Sequence, residues 1–171
     1  GFTPLGGIMM GGRCGDIDPS VICHIMDKKG ISPKEMDTIL NKKSGMLGVS
    51  GISSDARDIE DAVKQGNERA ILTQAYVNRV INVVGGYVMQ MGGVDAIAFT
   101  AGLGENDTNL RHQILEKMEE CLGLSINYEL NDKTRGKEVC ISNPESKVQV
   151  YIVPTNEELV IARDTVRLLG L

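Results

Sequence analysis

The chain has 171 residues, a formal net charge of −5 and hydrophobic and charged fractions of 42% and 24%, the make-up of a soluble globular protein large enough for one domain with its own core. The acidic balance, with no basic cluster, argues against a nucleic-acid partner, and no apolar run approaches the roughly 18 residues of a membrane span. Four scattered cysteines without a CxxC pair and only two histidines disfavour a zinc site and fit reduced thiols in a cytoplasmic protein without a signal peptide.

Taken in order, the glycine-rich residues 1–17 lack a steady period and read as a loop with special backbone geometry. The opening Gly-Phe-Thr-Pro without an initiator methionine is what a processed product or a piece of a longer chain would show. Arg13, between Gly11-Gly12 and Gly15, fits either a solvated arginine or one that small neighbours bring close to an anionic ligand. Asp18-Pro19 then predicts a helix ending at Gly30, with Ile22, Ile25 and Met26 inward and His24 exposed. Ser32 and Glu35 open a second helix with a capping box, Ile31 and Met36 forming its hydrophobic staple. Residues 44–54 read as a small, glycine-rich loop. Asp55 then fits a helix N-cap, and a base or ribose contact from Asp55 or Arg57 is the alternative.

From Asn67 to Met91 apolar residues recur at three and four, which predicts a long helix interrupted by Gly85-Gly86. Such a pair marks close packing of another backbone, in this subunit or a neighbouring one. Ala96-Ile97-Ala98-Phe99 is short enough for a buried strand, and it runs into a glycine-rich turn at Gly102-Leu103-Gly104. A helix with Leu110, Ile114, Met118 and Leu122 on one face follows, stopped by Gly123. A strand, glycine turn and helix start commonly present backbone N–H groups to a phosphate or nucleotide. They also make ordinary connections, and GLGEN fits neither GxGxxG nor the Walker A pattern.

Residues 126–130, 139–142 and 148–153 are strand candidates, with a turn at 143–146. Thr155 and Glu158 have capping-box spacing at the start of a last helix through Leu169. That leaves Glu157 either as a solvated carboxylate favouring the helix dipole or as a place to hold Mg²⁺, directly or through water.

Four stretches in this order, GFTPL with MMGGRCGDIDP, LNKKSGMLGVSGISSDARDI, FTAGLGEN and VPTNEELVIARD, resemble the C-terminal part of the acetate kinase family, over essentially the whole chain and a little under half of the family's usual length. The resemblance implies a ribonuclease H-like α/β domain, with a mixed sheet flanked by helices, in the acetate and sugar kinase, Hsp70 and actin superfamily. Residues 1–171 then form a single domain, the family's nucleotide-binding one, and the N-terminal domain is absent. The implied chemistry is reversible phosphoryl transfer from ATP to acetate, giving acetyl phosphate and ADP with Mg²⁺ (or Mn²⁺), in a homodimer.

By the same resemblance Arg13 matches the arginine that stabilises the transferring phosphoryl group. Asp55, Ala56 and Arg57 match a nucleotide-binding segment. Gly102, Leu103, Gly104, Glu105 and Asn106 match the loop that holds the nucleotide, and Glu157 matches a magnesium-binding glutamate. The chain departs from the family's pattern at Gly7, where a glutamate is usual, and at Gly12 and Cys14, where Thr and Ser are usual; extra glycine would loosen Arg13. The other magnesium-binding aspartate, a second arginine, the histidines of the acetyl site and a histidine-glycine phosphate loop belong to the missing N-terminal part. Alone, the chain is therefore expected to lack useful kinase activity. A propionate kinase of the same family and an excised, non-catalytic nucleotide-binding or dimerisation module are the alternatives. A Rossmann dehydrogenase is disfavoured, because no acidic residue follows the loop at the proper distance in a βαβ unit.

Overall fold

Asp18 opens α1 (Pro19–Lys29) by accepting from the Ser20 N–H, and Gly30 closes it in the left-handed conformation. The reciprocal Ser32–Glu35 capping box starts α2 (Pro33–Lys42), whose Met36 is buried. These belong to a computed structural model that describes residues 2–170. After them come α3 (Gly45–Ser50), α4 (Ala56–Lys64), α5 (Glu68–Ile71), a 3-10 turn over Leu72–Gln74 and α6 (Ala75–Met91). Then follow β1 (Ala96–Phe99), α7 (Ala101–Asn106), α8 (Thr108–Glu116), α9 (Glu119–Leu122), α10 (Tyr128–Lys133), β2 (Val139–Cys140), β3 (Gln149–Ile152) and α11 (Glu157–Leu169). The chain divides into two compact units, Gly1–Val84 and Gly85–Leu171, with the division falling inside α6.

The first unit is helical, and Met36, Met46, Ile59, Ala70 and Val77 are its buried apolar residues. In the second, the sheet has the order β1-β3-β2, with β1 parallel and β2 antiparallel to β3. Parallel register pairs Ala96 with Gln149 and Phe99 with Ile152. One face of the sheet, with Val150 and Ile152, is buried in a core with Ile114, Leu115, Met118, Leu124, Ile126 and Ile141. Among the described residues no aromatic side chain is buried. Among the described residues no helix is long and apolar enough to cross a membrane, and all four cysteines are free.

Several expectations fail for identifiable reasons. Residues 44–54 are not all loop: α3 forms there because the N–H groups of Met46 and Leu47 find acceptors in Met10 and Gly11, partners that local periodicity cannot reveal. The long helix from Asn67 is broken before Ala75 by the 3-10 turn. The 107–122 helix is split by a tightened turn in which the Met118 N–H donates to Leu115 O. Residues 126–130 are not a strand. Ile126 makes one isolated bridge to Ser142, and Asn127 then caps α10 by accepting from the Leu130 N–H.

Two more expectations concern exposure. The strand at 96–99 is an edge strand, with Ala96 and Ala98 exposed. Gly85 and Gly86 have open space around them: a methyl group built on either meets nothing within 4 Å. No backbone of this chain packs there among the described residues.

Candidate functional site

The Arg13 loop is built by backbone hydrogen bonds rather than by side chains. Arg13 O accepts from the Met10 N–H and Gly12 O from the Ser44 N–H, while the Cys14 N–H donates to Leu40 O. Met10 and Gly11 carbonyls receive the first N–H groups of α3 at 2.9 Å. Two glycines permit this closeness. Gly45 has φ +60, and a Cβ there would lie 2.0 Å from Met10 O. A Cβ on Gly11 would lie 2.2 Å from Ser54 O. Gly11 and Gly45 therefore let the loop carrying Arg13 close tightly on its neighbours. Arg13 itself is half-buried. Its Nη1 donates to the Met10 thioether at 3.6 Å, and it forms no ion pair with a carboxylate among the described residues. Its charge is thus available to an anion.

The Gly11–Ser54 approach brings this loop against the start of the Asp55–Arg57 segment. Asp55 caps α4 by accepting from the Arg57 N–H at 2.9 Å. The same carboxylate takes a two-pronged bond from the Arg57 guanidinium, with Nε at 3.0 Å. The Arg57 hydrogen bonds hold the Asp55 carboxyl well below the usual range, at about 2. Arg57 is otherwise open to solvent, its side chain 88% exposed. The N-cap reading of Asp55 holds, and α4 presents Ala56 and Arg57 in its first turn.

In the second unit the expected glycine turn at 102–104 is a six-residue helix, α7. Ala101 enters it with φ 59, a left-handed conformation costing about 1–2 kcal/mol for a residue with a Cβ. Such strain is found where a site over-determines the backbone. Gly104 lies against the end of β1, since a Cβ there would sit 3.2 Å from the Phe99 carbonyl carbon. Glu105 accepts both the backbone N–H (2.8 Å) and the hydroxyl (2.9 Å) of Thr155 on one oxygen. Those bonds hold the Glu105 carboxyl below its ordinary value. They also tie the segment after β1 to the segment after β3, which brings residues 102–106 beside the start of α11.

Sequence reasoning misplaced that start. Thr155 is engaged by Glu105, and the N-cap is Asn156, whose side chain accepts from the Leu159 N–H at 2.9 Å. The Thr155–Glu158 capping box does not form. Glu157 is the first residue of α11 and exposed. No group of three or more His, Cys, Asp or Glu residues positioned to hold a metal occurs among the described residues.

Arg111 was also missed. It is fully buried, and its guanidinium donates to Asn131 Oδ1 (2.8 Å), Asn131 O (3.1 Å), Thr134 O (2.7 Å) and Gly104 O (2.9 Å). The signal was present: Arg111 shares a helical face with the buried Ile114 and Leu115, a charge on an apolar stripe.

The acetokinase family matches residues 1–163 of the chain. The chain is 53% identical to the acetate kinase of Halothermothrix orenii over 98% of its own length and 42% of the relative's. It is 52% identical to that of Methanosarcina barkeri over 96% of its own length and 40% of the relative's. The chain thus spans about two fifths of the curated relatives it matches. The crystal structure of Porphyromonas gingivalis acetate kinase superposes with a TM-score of 0.90 at 49% identity, over 99% of this chain and 42% of that one. A propionate kinase from Francisella tularensis superposes with a TM-score of 0.84 at 37% identity, over 95% of this chain and 41% of that one. These neighbours bear out the ribonuclease H-like α/β class, with its small mixed sheet flanked by helices. The chain belongs to the acetokinase family.

Proposed function

We propose that this chain is the nucleotide-binding portion of an acetate kinase, which transfers a phosphoryl group reversibly between ATP and acetate. The carrying observation is the Glu105–Thr155 link, which sets the 102–106 segment beside Glu157. Residues 102–106 hold the nucleotide and Glu157 is the magnesium ligand, while the Asp55–Arg57 segment keeps the nucleotide-binding role that the family resemblance gives it. Magnesium (or manganese) bound there would neutralise charge on phosphate oxygens. Arg13, on a loop held by backbone hydrogen bonds and with no carboxylate partner among the described residues, stabilises the equatorial oxygens of the transferring group. A loose transition state asks chiefly for positioning and neutralised charge. Acetate is already ionised near neutral pH and needs no strong base, so this chain's residues have no proton to remove.

The whole 171 residues act as one functional module of a homodimeric, cytoplasmic enzyme. The open helical face at Gly85-Gly86 supports contact with a second copy. By itself the module lacks the acetyl-site groups that the family resemblance assigns to the N-terminal portion. Assay of the chain with ATP, acetate and Mg²⁺ beside an intact homologue tests this. Turnover at background level is expected, and turnover comparable with the homologue would refute it. The similarity to a propionate kinase favours propionate as the second substrate to compare, in a protein of the relatives' full length.

A further inference from the structure

Arg111 carries a positive charge into a fully buried position, where an apolar side chain of similar size would avoid the desolvation cost. Arginine does not escape that cost by losing its proton. Burial pulls the guanidinium below its ordinary value, while the Asp107 and Asp132 carboxylates favour its charged form. No carboxylate touches it among the described residues. Its hydrogen-bonding groups go instead to four oxygens, three of them backbone carbonyls.

Those carbonyls have a common character. Asn131 O and Thr134 O lie at the C-terminal end of α10, and Gly104 O lies in the last turn of α7. The last carbonyls of a helix run out of intrahelical partners and carry the negative end of its dipole; of these three, Asn131 O also accepts from the Thr134 N–H at 3.1 Å. A single buried cation therefore gathers two helix C-termini. Only the Gly104 bond reaches the 102–106 segment, and around it the Glu105 carbonyl accepts from the Gly136 N–H at 3.2 Å and the Glu105 carboxylate from Thr155. The C-terminal turn of α7 is clamped from inside by Arg111 and from outside by Thr155. By contrast, Gly102 meets nothing within 4 Å of a built Cβ.

We infer that Arg111 is a positioning residue for the nucleotide segment: through the Gly104 carbonyl it fixes the α7 turn in the conformation that binds. The inference rests on the proposed nucleotide role of residues 102–106, but its structural half is testable without it. The test uses the chain with Arg111→Lys, which keeps the charge but loses the fork. Leu115→Ala, in the same helix and fully buried, serves as a comparator destabilised by a cavity alone.

Two readouts are taken: the affinity for ADP with Mg²⁺ by calorimetry, and hydrogen exchange of the Asp107 and Gly136 amides, which donate to Leu103 O and Glu105 O. Arg111→Lys should weaken ADP binding at least tenfold and speed exchange of both amides at least tenfold. Leu115→Ala should change affinity less than twofold. If the lysine variant fails to fold, Asn131→Ala, which removes one acceptor, should move both readouts in the same direction by a smaller factor. Equal responses from Arg111→Lys and Leu115→Ala, or unchanged exchange in both Arg111→Lys and Asn131→Ala, would overturn the inference. Failure of the unmodified chain to bind ADP would overturn the nucleotide reading, and the exchange comparison would still decide the anchoring.

Discussion

Thr155 gives both its hydrogen-bond donors to one oxygen of Glu105, across 50 positions of sequence. The pair closes the ends of two parallel strands over the segment that the family resemblance assigns to nucleotide. Thr155→Val keeps the backbone donor and the shape but removes the hydroxyl. The Glu105 carboxyl is held below its usual value by Thr155, so the interaction stabilises above the ordinary carboxylate range and is lost as pH falls through the lowered value. The variant should melt below the unmodified chain at pH 7, and the gap should narrow by pH 3. A gap that stays constant would show that the carboxylate is not involved.

Asp55 offers a second pH test with the same sign. Its folded value of about 2 lies below the ordinary 3.8, so its contribution is complete above about pH 4 and fades towards pH 2. Asp55→Asn keeps a good N-cap acceptor while losing the Arg57 ion pair. The stability difference between the two proteins, measured by denaturant titration, should be present at pH 7 and largely lost near pH 2.

How much of this was legible in the sequence depends on where each hydrogen bond goes. Asp18, Ser32, Asp55 and Gly30 act within four residues of themselves, and their caps were read correctly. So was the strand at Ala96–Phe99, from its apolar run and the glycines around it. Residues whose partners are distant were not readable. α3 depends on the Met10 and Gly11 carbonyls, and Thr155 is drawn from capping α11 by Glu105. Asn127 competed with an alternating apolar pattern, and the cap won. For the site, pattern alone left Arg13, residues 102–106 and Glu157 between two readings each. The ordered set of four motifs, rather than any residue's local pattern, assigned them roles.

Glycine substitutions should separate close approach from open space. Gly45→Ala would put a methyl group 2.0 Å from Met10 O at φ +60, and should destabilise by more than about 2 kcal/mol, from left-handed strain plus displacement of the Arg13 loop. Gly85→Ala, in an open helical position, should stabilise the monomeric chain by about 0.5–1 kcal/mol. If α6 meets a second copy at that point, Gly85→Leu with Gly86→Leu should lower the molecular mass measured by light scattering. An unchanged mass would exclude this helix from the interface.

Arg13 should matter to turnover and not to folding, because its loop is held by backbone bonds. In a protein of the relatives' full length, Arg13→Ala should reduce kcat by about 10³-fold or more, the scale of a phosphoryl-stabilising arginine. Its melting temperature should stay close to that of the parent. A loss of stability matching the loss of rate would assign Arg13 to the scaffold instead.

The most direct measurement is a calorimetric titration of this chain with ADP and Mg²⁺, repeated with Glu157→Gln. Saturable one-to-one binding with a dissociation constant of about 1 mM or below, weakened in the Glu157 variant only when Mg²⁺ is present, is the expected result. No measurable heat at millimolar ADP would contradict the assignment of residues 102–106 and Glu157 to a nucleotide site, and would leave the chain a structural role alone.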